Sequence, residues 1–478
     1  MSMEAGLPAE ITLPPKPATG IVHLGLGAFF RAHGCIYIAD AMAASGGDWG
    51  VVGVSLRSPA TRDALRDQDW AYTAVSLGAT EEVARVVDVL NGVLVAPENP
   101  DAVLAAMANP EVKIVTLTVT EKGYCHNPAT GALNFDRPDI QHDLTAPFPV
   151  SAIGFLVRAL QRRRDAGNQP FTILSCDNLP ENGKLVRGLV LEFAQRVDPA
   201  LAEWIKSNGR FPCTMVDRIT PATTDADIEK VERLTGMRDD APVMHEPFSQ
   251  WVVEDDFVDG ARPDLAAAGV ELVADVTAHE HMKLRMLNGT HSALAYTGYL
   301  AGHETISETM ADPVFAAYVR QLWAEIMPAV VAPAGVSLPD YADALFARYS
   351  NPAIQHRTWQ IAMDGSQKLP QRILGTLREA LDAGRETPGL WLAVAAWMRY
   401  VGGQDETGQP IDVRDPLAPR LQELSAAADT PADKVAALLA VQGVFPADLA
   451  PRLLAPVTEA ATLLWEEGAR AAVFEVTP

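Results

Sequence analysis

Lys283, Asn288 and His291 interrupt an otherwise apolar stretch, Met282-Lys-Leu-Arg-Met-Leu-Asn-Gly-Thr-His-Ser292, with a base, an amide and an imidazole. Residues 281–301 have a helical period, and on an α-helix offsets of five and eight put Asn288 and His291 roughly 140° and 80° around the axis from Lys283. The spacing predicts all three on one side of one helix. A lysine that loses its proton, an amide that holds an alkoxide and a histidine that holds a hydroxyl are what alcohol oxidation requires. The same trio would also suit a solvated helix face. Met282, Leu284, Met286, Leu287, Ala293 and Leu294 surround it, however, and argue for a buried helix whose few polar groups need specific partners.

The elements that must position these groups alternate along the first half of the chain. A strand at residues 20–24 runs into the glycine turn Gly25-Leu26-Gly27, and a largely apolar helical stretch follows from Ala28 and Phe29 to residue 44. Further strand-like runs lie at 49–56, 112–120 and 171–175, separated by helical patterns such as 101–108 and 151–164. This alternation predicts an α/β fold, with a Rossmann-like N-terminal domain built on a mostly parallel sheet. Beyond residue 276 long helical periods take over, at 281–301, 313–331, 371–383, 390–401 and 432–441. The expected division is therefore a nucleotide-binding domain over 1–275 and a mainly α-helical substrate and catalytic domain over 276–478. A site at the junction of the two is the common arrangement for such a layout.

Gly25-x-Gly27, after a strand and before a helix, meets the mechanical needs of a dinucleotide turn: a tight bend and a close backbone approach to pyrophosphate. Gly25, Leu26, Gly27, Ala28 and Phe29 are the candidate cofactor residues there. Phe30 stands where the third glycine of the fingerprint would be, so a plain strand-to-helix turn needing positive φ is the competing reading. Arg57 and Ser58 follow the second strand, where an acid would bond the ribose 2′-hydroxyl of NAD. Their presence points toward NADP, although an arginine beside pyrophosphate also serves NAD.

A formal charge of −23, from 38 basic and 61 acidic residues, argues against a nucleic-acid partner. Cys35, Cys125, Cys176 and Cys213 show neither CxxC nor finger-like spacing, which disfavours disulfides and structural zinc. His33 and Cys35 lack further ligands at suitable spacing and read as core packing, so no metal is expected. The amino terminus lacks a basic region followed by an apolar one, and no run of 18 apolar residues occurs. A cytoplasmic protein without membrane association is the expectation. Glu121 and Lys122 are candidates to line a pocket or to pair at its rim.

Six spaced motifs carry a family resemblance: Gly25-Leu-Gly-Ala-Phe-Phe-Arg-Ala-His33, Thr120-Glu-Lys-Gly-Tyr124, Ser175-Cys-Asp-Asn178, Phe211-Pro-Cys-Thr-Met-Val-Asp-Arg218, Lys283-x4-Asn288-x2-His291, and His356-Arg-Thr-Trp-Gln-Ile-Ala-Met-Asp-Gly-Ser-Gln-Lys-Leu-Pro370. From residue 20 to at least 375 the chain resembles the polyol-specific long-chain dehydrogenases, the family of mannitol dehydrogenase and fructuronate reductase. The resemblance implies NAD(P)-dependent interconversion of a secondary alcohol and a ketone on an open-chain sugar, without metal. It makes Lys283 the general acid/base and has Asn178 and Asn288 donate to the reacting oxygen. His291 would fix a neighbouring hydroxyl, and Asp217 and Lys368 would hold the rest of the sugar. Glu280, one turn before Lys283, would serve a water path for proton exchange, or be an ordinary helix-start acid.

The chemistry of lysine agrees with that role. A free lysine, near a pKa of about 10.4, is a poor base at neutral pH, but burial and a positive nicotinamide both lower it, while an ionised Glu280 pulls the other way. The stretch from Arg357 to Arg372 looks closer to the uronate branch of the family. Gln360 stands where the mannitol branch carries an arginine, and Arg357, Arg372 and Lys368 are available to a carboxylate. The expected substrate is D-fructuronate or D-mannonate with NAD as cofactor and NADP left open. The alternatives are a mannitol 2-dehydrogenase and a non-catalytic sugar-acid or nucleotide sensor. A monomer and a homodimer are both compatible with the sequence.

Overall fold

β-branched and leucine-rich runs of the first half form the strands Thr19–Leu24 (β1), Gly50–Ser55 (β2), Tyr72–Leu77 (β3), Glu82–Val87 (β4), Leu90–Val95 (β5), Ile114–Leu117 (β6), Thr172–Ser175 (β7), Thr214–Asp217 (β8), Val243–His245 (β9), Gln250–Glu254 (β10) and Glu271–Val273 (β11). The structure, a computed structural model, describes residues 15–127 and 130–477. It divides between Thr277 and Ala278 into two units.

In the first unit a five-stranded sheet has the order β5-β2-β1-β6-β7, with every neighbouring pair parallel. Parallel strands are covered on both faces, which is why β1, β6 and β7 are buried almost throughout. One face packs Val22, Leu24, Val115 and Leu117 against Leu104 and Met107 of the helix Pro100–Ala108 and Phe155 and Leu156 of Ala152–Asp165. The other packs Ile21, Val51 and Ile114 against Ile36 and Ile38 of Gly34–Ser45. Helix starts are set by side chains that accept from otherwise orphan amides: Asn99 from Ala102, and Ser151 from Gly154, both at 3.0 Å.

Two small sheets, β4-β3-β9 and β11-β10-β8, were not legible as such, and they bring the antiparallel pairs β3–β4 and β8–β10. The helical stretch expected over 28–44 is two helices, Ala28–Ala32 and Gly34–Ser45, broken at His33. There the imidazole stacks on Phe29, meets the edge of Tyr37 and bonds the Gln250 carbonyl at 2.9 Å, contacts that an unbroken helix would aim elsewhere.

The second unit is helical around Pro388–Val401, which is buried along nearly its whole length and packs on Thr290–Leu300 and Ala450–Glu467. Trp323, Trp397 and Tyr296 are fully buried in this core. The helix expected over 281–301 changes character in its middle: α-helical over Thr277–Met282, π-helical over Lys283–Gly289, α-helical again over Thr290–Leu300. A second π-helical turn, Pro370–Leu374, precedes Gly375–Asp382. Among the described residues no helix is long and apolar enough to cross a membrane.

Candidate active site

The first unit contains a cavity of about 450 Å³ at the carboxyl ends of β1, β2 and β6. Gly25, Leu26, Gly27, Arg57 and Ser58 line it, joined by Ser55, Thr61, Thr118, Val119, Thr120 and Lys122. Gly25 has φ of +91°, and a Cβ there would collide with the Thr118 carbonyl. Its amide and that of Leu26 both donate to the Val54 carbonyl, at 2.9 and 3.1 Å, while the Thr118 hydroxyl donates to the Gly25 carbonyl at 2.9 Å. Gly27 is exposed and leaves the turn open to a ligand. These features fit a dinucleotide: bare backbone at the turn, and hydroxyls and cations beyond the strand ends. Ala28 and Phe29 open the helix that follows.

Phe30 accounts for the absent third glycine. Its ring lies flat on His23 of β1, and a Cβ on Gly34 would run into it, so an aromatic plate fills the space between strand and helix. His23 is fully buried between Thr116 and Thr118, with ring nitrogens 2.8 and 2.9 Å from their hydroxyls, and burial holds its pKa down to about 3. The imidazole is neutral and structural.

Asn178 lies exposed just beyond the carboxyl end of β7. Its neighbour Asp177 accepts from the Val119 and Thr120 amides, at 2.9 and 3.1 Å, and from the Tyr124 hydroxyl at 2.6 Å. This carboxylate ties the ends of β6 and β7 together and holds Thr120 at φ of +63°. Burial pushes the Asp177 carboxyl up, against those hydrogen bonds. Asn182 then links the same loop to β8, donating to the carbonyls of Asp177 and Thr214 at 3.1 and 3.0 Å. Asp217, buried at the end of β8, is held in register opposite Gln250.

In the second unit Lys283 and His291 are buried and Asn288 is half-buried. The π-helical stretch revises the geometry expected for them. Its hydrogen bonds close over five residues rather than four, so Lys283 and Asn288 stand about one turn apart instead of splayed across an α-helix. Two carbonyls of the turn accept from buried side chains: Met286 from Trp323 Nε1 at 3.0 Å, and Leu287 from the Tyr349 hydroxyl at 2.7 Å, beside the Thr290 amide that Leu287 also accepts. Glu280 is half-buried in the preceding α-helix.

His291 is stacked on Tyr349, with ring centroids 5.2 Å apart, and meets His356 edge-on at 4.8 Å. Burial first, and then the positive charges of His356, Arg372, Arg348 and Lys368, hold its pKa well below the usual histidine range. Burial and Lys368 bring His356 down to about 4. The Nε2 of His291 and the Nδ1 of His356 are buried without a hydrogen-bond partner. Arg372 donates to the Ser292 hydroxyl at 3.0 Å. Lys368 donates to the Ile361 carbonyl at 3.2 Å, from a helix whose start is tied down by Asp415 accepting from the Ser366 amide and hydroxyl.

The second unit thus gathers His291, Lys368 and Arg372 from the expected set. Arg357 and Gln360 are exposed, and Arg357 is not among the charges that dominate at His291. Three members of this cluster escaped sequence reasoning. His356 stands at the head of the sixth motif, where nothing in its spacing points to a role, while Arg348 and Tyr349 end the helix Leu338–Tyr349, whose pattern reads as ordinary packing. In the first unit the overlooked cavity residues include Thr118, Val119 and Thr120, which the rule that ligands sit beyond parallel strand ends would have found. Among the described residues no group of three or more His, Cys, Asp or Glu side chains could hold a metal ion, and all four cysteines are buried thiols.

A dinucleotide-type turn on a parallel sheet and a helical unit bearing a buried lysine define a two-unit oxidoreductase, and comparison with known proteins narrows the class. Residues 19–267 match the mannitol dehydrogenase Rossmann domain and residues 275–465 the mannitol dehydrogenase C-terminal domain. The chain belongs to the mannitol dehydrogenase family, whose members act on CH–OH groups of polyols and sugar acids. It is 48% identical to an uncharacterized oxidoreductase of Escherichia coli strain K12, over 98% of each chain. It is 46% identical to the D-mannonate oxidoreductase of the same organism, covering 95% of this chain and 94% of the relative. Among solved structures it resembles Pseudomonas fluorescens mannitol 2-dehydrogenase in ternary complex with NAD and D-mannitol, with a TM-score of 0.87, 38% identity, and 96% and 94% of the two chains covered.

Proposed function

We propose that this protein is a cytoplasmic oxidoreductase that interconverts D-fructuronate and D-mannonate with NAD as cofactor. The observation that carries the reading is the charge around His291. Arg372, Arg348 and Lys368 bear on a single buried ring, and a substrate carboxylate is the natural complement to such a cluster. A hexitol has no charge to use there. The 46% identity to D-mannonate oxidoreductase supports the same choice.

NAD, when bound, supplies the hydride acceptor for the alcohol and, reduced, the hydride donor for the ketone. The chain's own groups do the rest. In ketone reduction, hydride reaches the carbonyl carbon as the carbon–oxygen π pair moves to oxygen, and the Lys283 ammonium gives that oxygen a proton. In oxidation the neutral lysine takes the proton back. Asn178 and Asn288 donate to the oxygen while it carries negative charge. His291, with its low proton affinity, is neutral at pH 7 and so both accepts from and donates to substrate hydroxyls. Asp217 and Lys368 hold the far end of the sugar, and Glu280 passes the lysine proton toward water.

The second reading is mannitol 2-dehydrogenase activity, which the structural likeness to the mannitol complex favours. Absorbance of NADH and NADPH, followed with D-fructuronate, D-tagaturonate and D-fructose, separates the two. The expected result is kcat/KM for fructuronate at least about 100-fold above fructose, since a site built around a polar group penalises its absence. Fructose turnover above both uronates would overturn the proposal, and silence with all three would favour a binding protein.

A further inference from the structure

The π-helical turn carries two of the proposed catalytic groups, and two buried side chains outside it donate to its carbonyls. Trp323 Nε1 donates to the Met286 carbonyl at 3.0 Å and the Tyr349 hydroxyl to the Leu287 carbonyl at 2.7 Å. Both donors are buried, at 2% and 3% exposure, so no water competes for these carbonyls. The two π-helical turns also pack on one another. At Gly289 a Cβ would lie 2.8 Å from the Arg372 carbonyl of the second turn, so only glycine allows this approach. The Tyr349 ring is stacked on His291, so one side chain touches both the turn and the imidazole that follows it.

We infer that Trp323 and Tyr349 are positioning residues: by donating to the Met286 and Leu287 carbonyls they keep Lys283–Gly289 π-helical, and so keep Lys283 and Asn288 aligned about one turn apart. Without those donors the Met286 carbonyl would seek the amide four residues on, at Thr290, and the Leu287 carbonyl would exchange its bond to the Thr290 amide for the amide of His291. The segment would tighten toward an α-helix, and five-residue neighbours would swing roughly 140° apart. Proton donor and oxyanion donor would then no longer address the same atom. Neither residue touches the substrate in this account. The inference rests on the roles proposed for Lys283 and Asn288.

The test uses Tyr349→Phe, Trp323→Phe and the double variant of the full chain, with Lys283→Ala in parallel. Tyr349→Phe keeps the stack on His291 and removes only the donor. Each single variant is expected to lower kcat for ketone reduction between about 10- and 100-fold, the range for a slightly misplaced catalytic group. KM and NADH affinity should stay within about twofold, and the deuterium isotope effect on kcat should rise as hydride transfer becomes limiting. The double variant should lose little more than the worse single, because both donors serve one turn. Unchanged kcat in both singles beside an inactive Lys283→Ala overturns the inference alone, as does a fall in thermal midpoint with kcat and isotope effect unmoved. Full activity in Lys283→Ala overturns the underlying reading instead.

Discussion

Phe30 lies flat against His23, ring centroids 3.5 Å apart and planes within 5° of parallel. The contact joins the strand before the glycine turn to the helix after it, at the position where dinucleotide turns often bring the two together through a third glycine. Phe30 is fully buried, so Phe30→Ala removes a packed ring and should cost about 3–5 kcal/mol. Phe30→Gly, which restores the letter of the fingerprint, should cost at least as much and weaken NAD binding. Denaturant unfolding of the first unit, with cofactor titration of each variant, checks both expectations. A glycine variant as stable as wild type would show that the stack is dispensable.

Gly25 is fixed by its backbone. At φ of +91°, with the Thr118 carbonyl where a Cβ would sit, Gly25→Ala must both strain the turn and push β6 away. The strain alone should cost about 1–3 kcal/mol. Cofactor affinity should fall by more than tenfold, measured as the NADH dissociation constant by fluorescence. Gly27→Ala, with open space around it, should leave the thermal midpoint nearly unchanged and act on cofactor affinity alone.

Buried neutral histidines give the fold a predictable acid response. His356 and His245 are held down to about 4 and His23 to about 3, each mainly by burial. Their ordinary value is 6.5, so between pH 6.5 and about 4 the unfolded chain binds more protons than the folded one. Stability therefore falls as pH drops through that window. The raised carboxyls of Asp177 and Glu325 act with opposite sign, binding protons in the folded state first and offsetting part of the loss toward the lower end. The thermal midpoint should be clearly lower at pH 5 than at pH 7, and a flat profile would contradict neutral burial of these rings.

Much of this arrangement was legible in the residues. Gly25 announces the turn because the constraint there is backbone geometry, which only glycine answers, and Gly27 because a bare backbone there leaves room for a ligand. The strand runs of β1, β6 and β7 announce a parallel sheet because both faces are buried. The trio at Lys283, Asn288 and His291 drew notice because polar groups in an apolar stretch need partners. Its geometry was not legible, because apolar periodicity cannot separate an α-helix from one with a π-helical turn. That outcome is decided by donors distant in sequence, Trp323 and Tyr349. The stack of Phe30 on His23 is hidden for the same reason, and so are Arg348 and His356, which reach His291 only through tertiary packing.

Arg372 separates the charge-based reading from a purely structural one. Its guanidinium is bonded to Ser292 and burial lowers its pKa, yet it still contributes positive charge at His291. Arg372→Met, which keeps the bulk, should raise KM for the uronate by about 10- to 100-fold while changing fructose kinetics little, in line with loss of a charged hydrogen-bonding partner. Equal losses on both substrates would assign Arg372 to packing alone.

The central claim is that Lys283 moves the proton of a sugar-acid substrate. It is tested most directly by kcat/KM for D-fructuronate reduction in wild type and Lys283→Ala at matched NADH saturation. A fall of about 100- to 10,000-fold is expected, the contribution of a positioned general acid, with NADH affinity unchanged. Equal activity in the two proteins would contradict it.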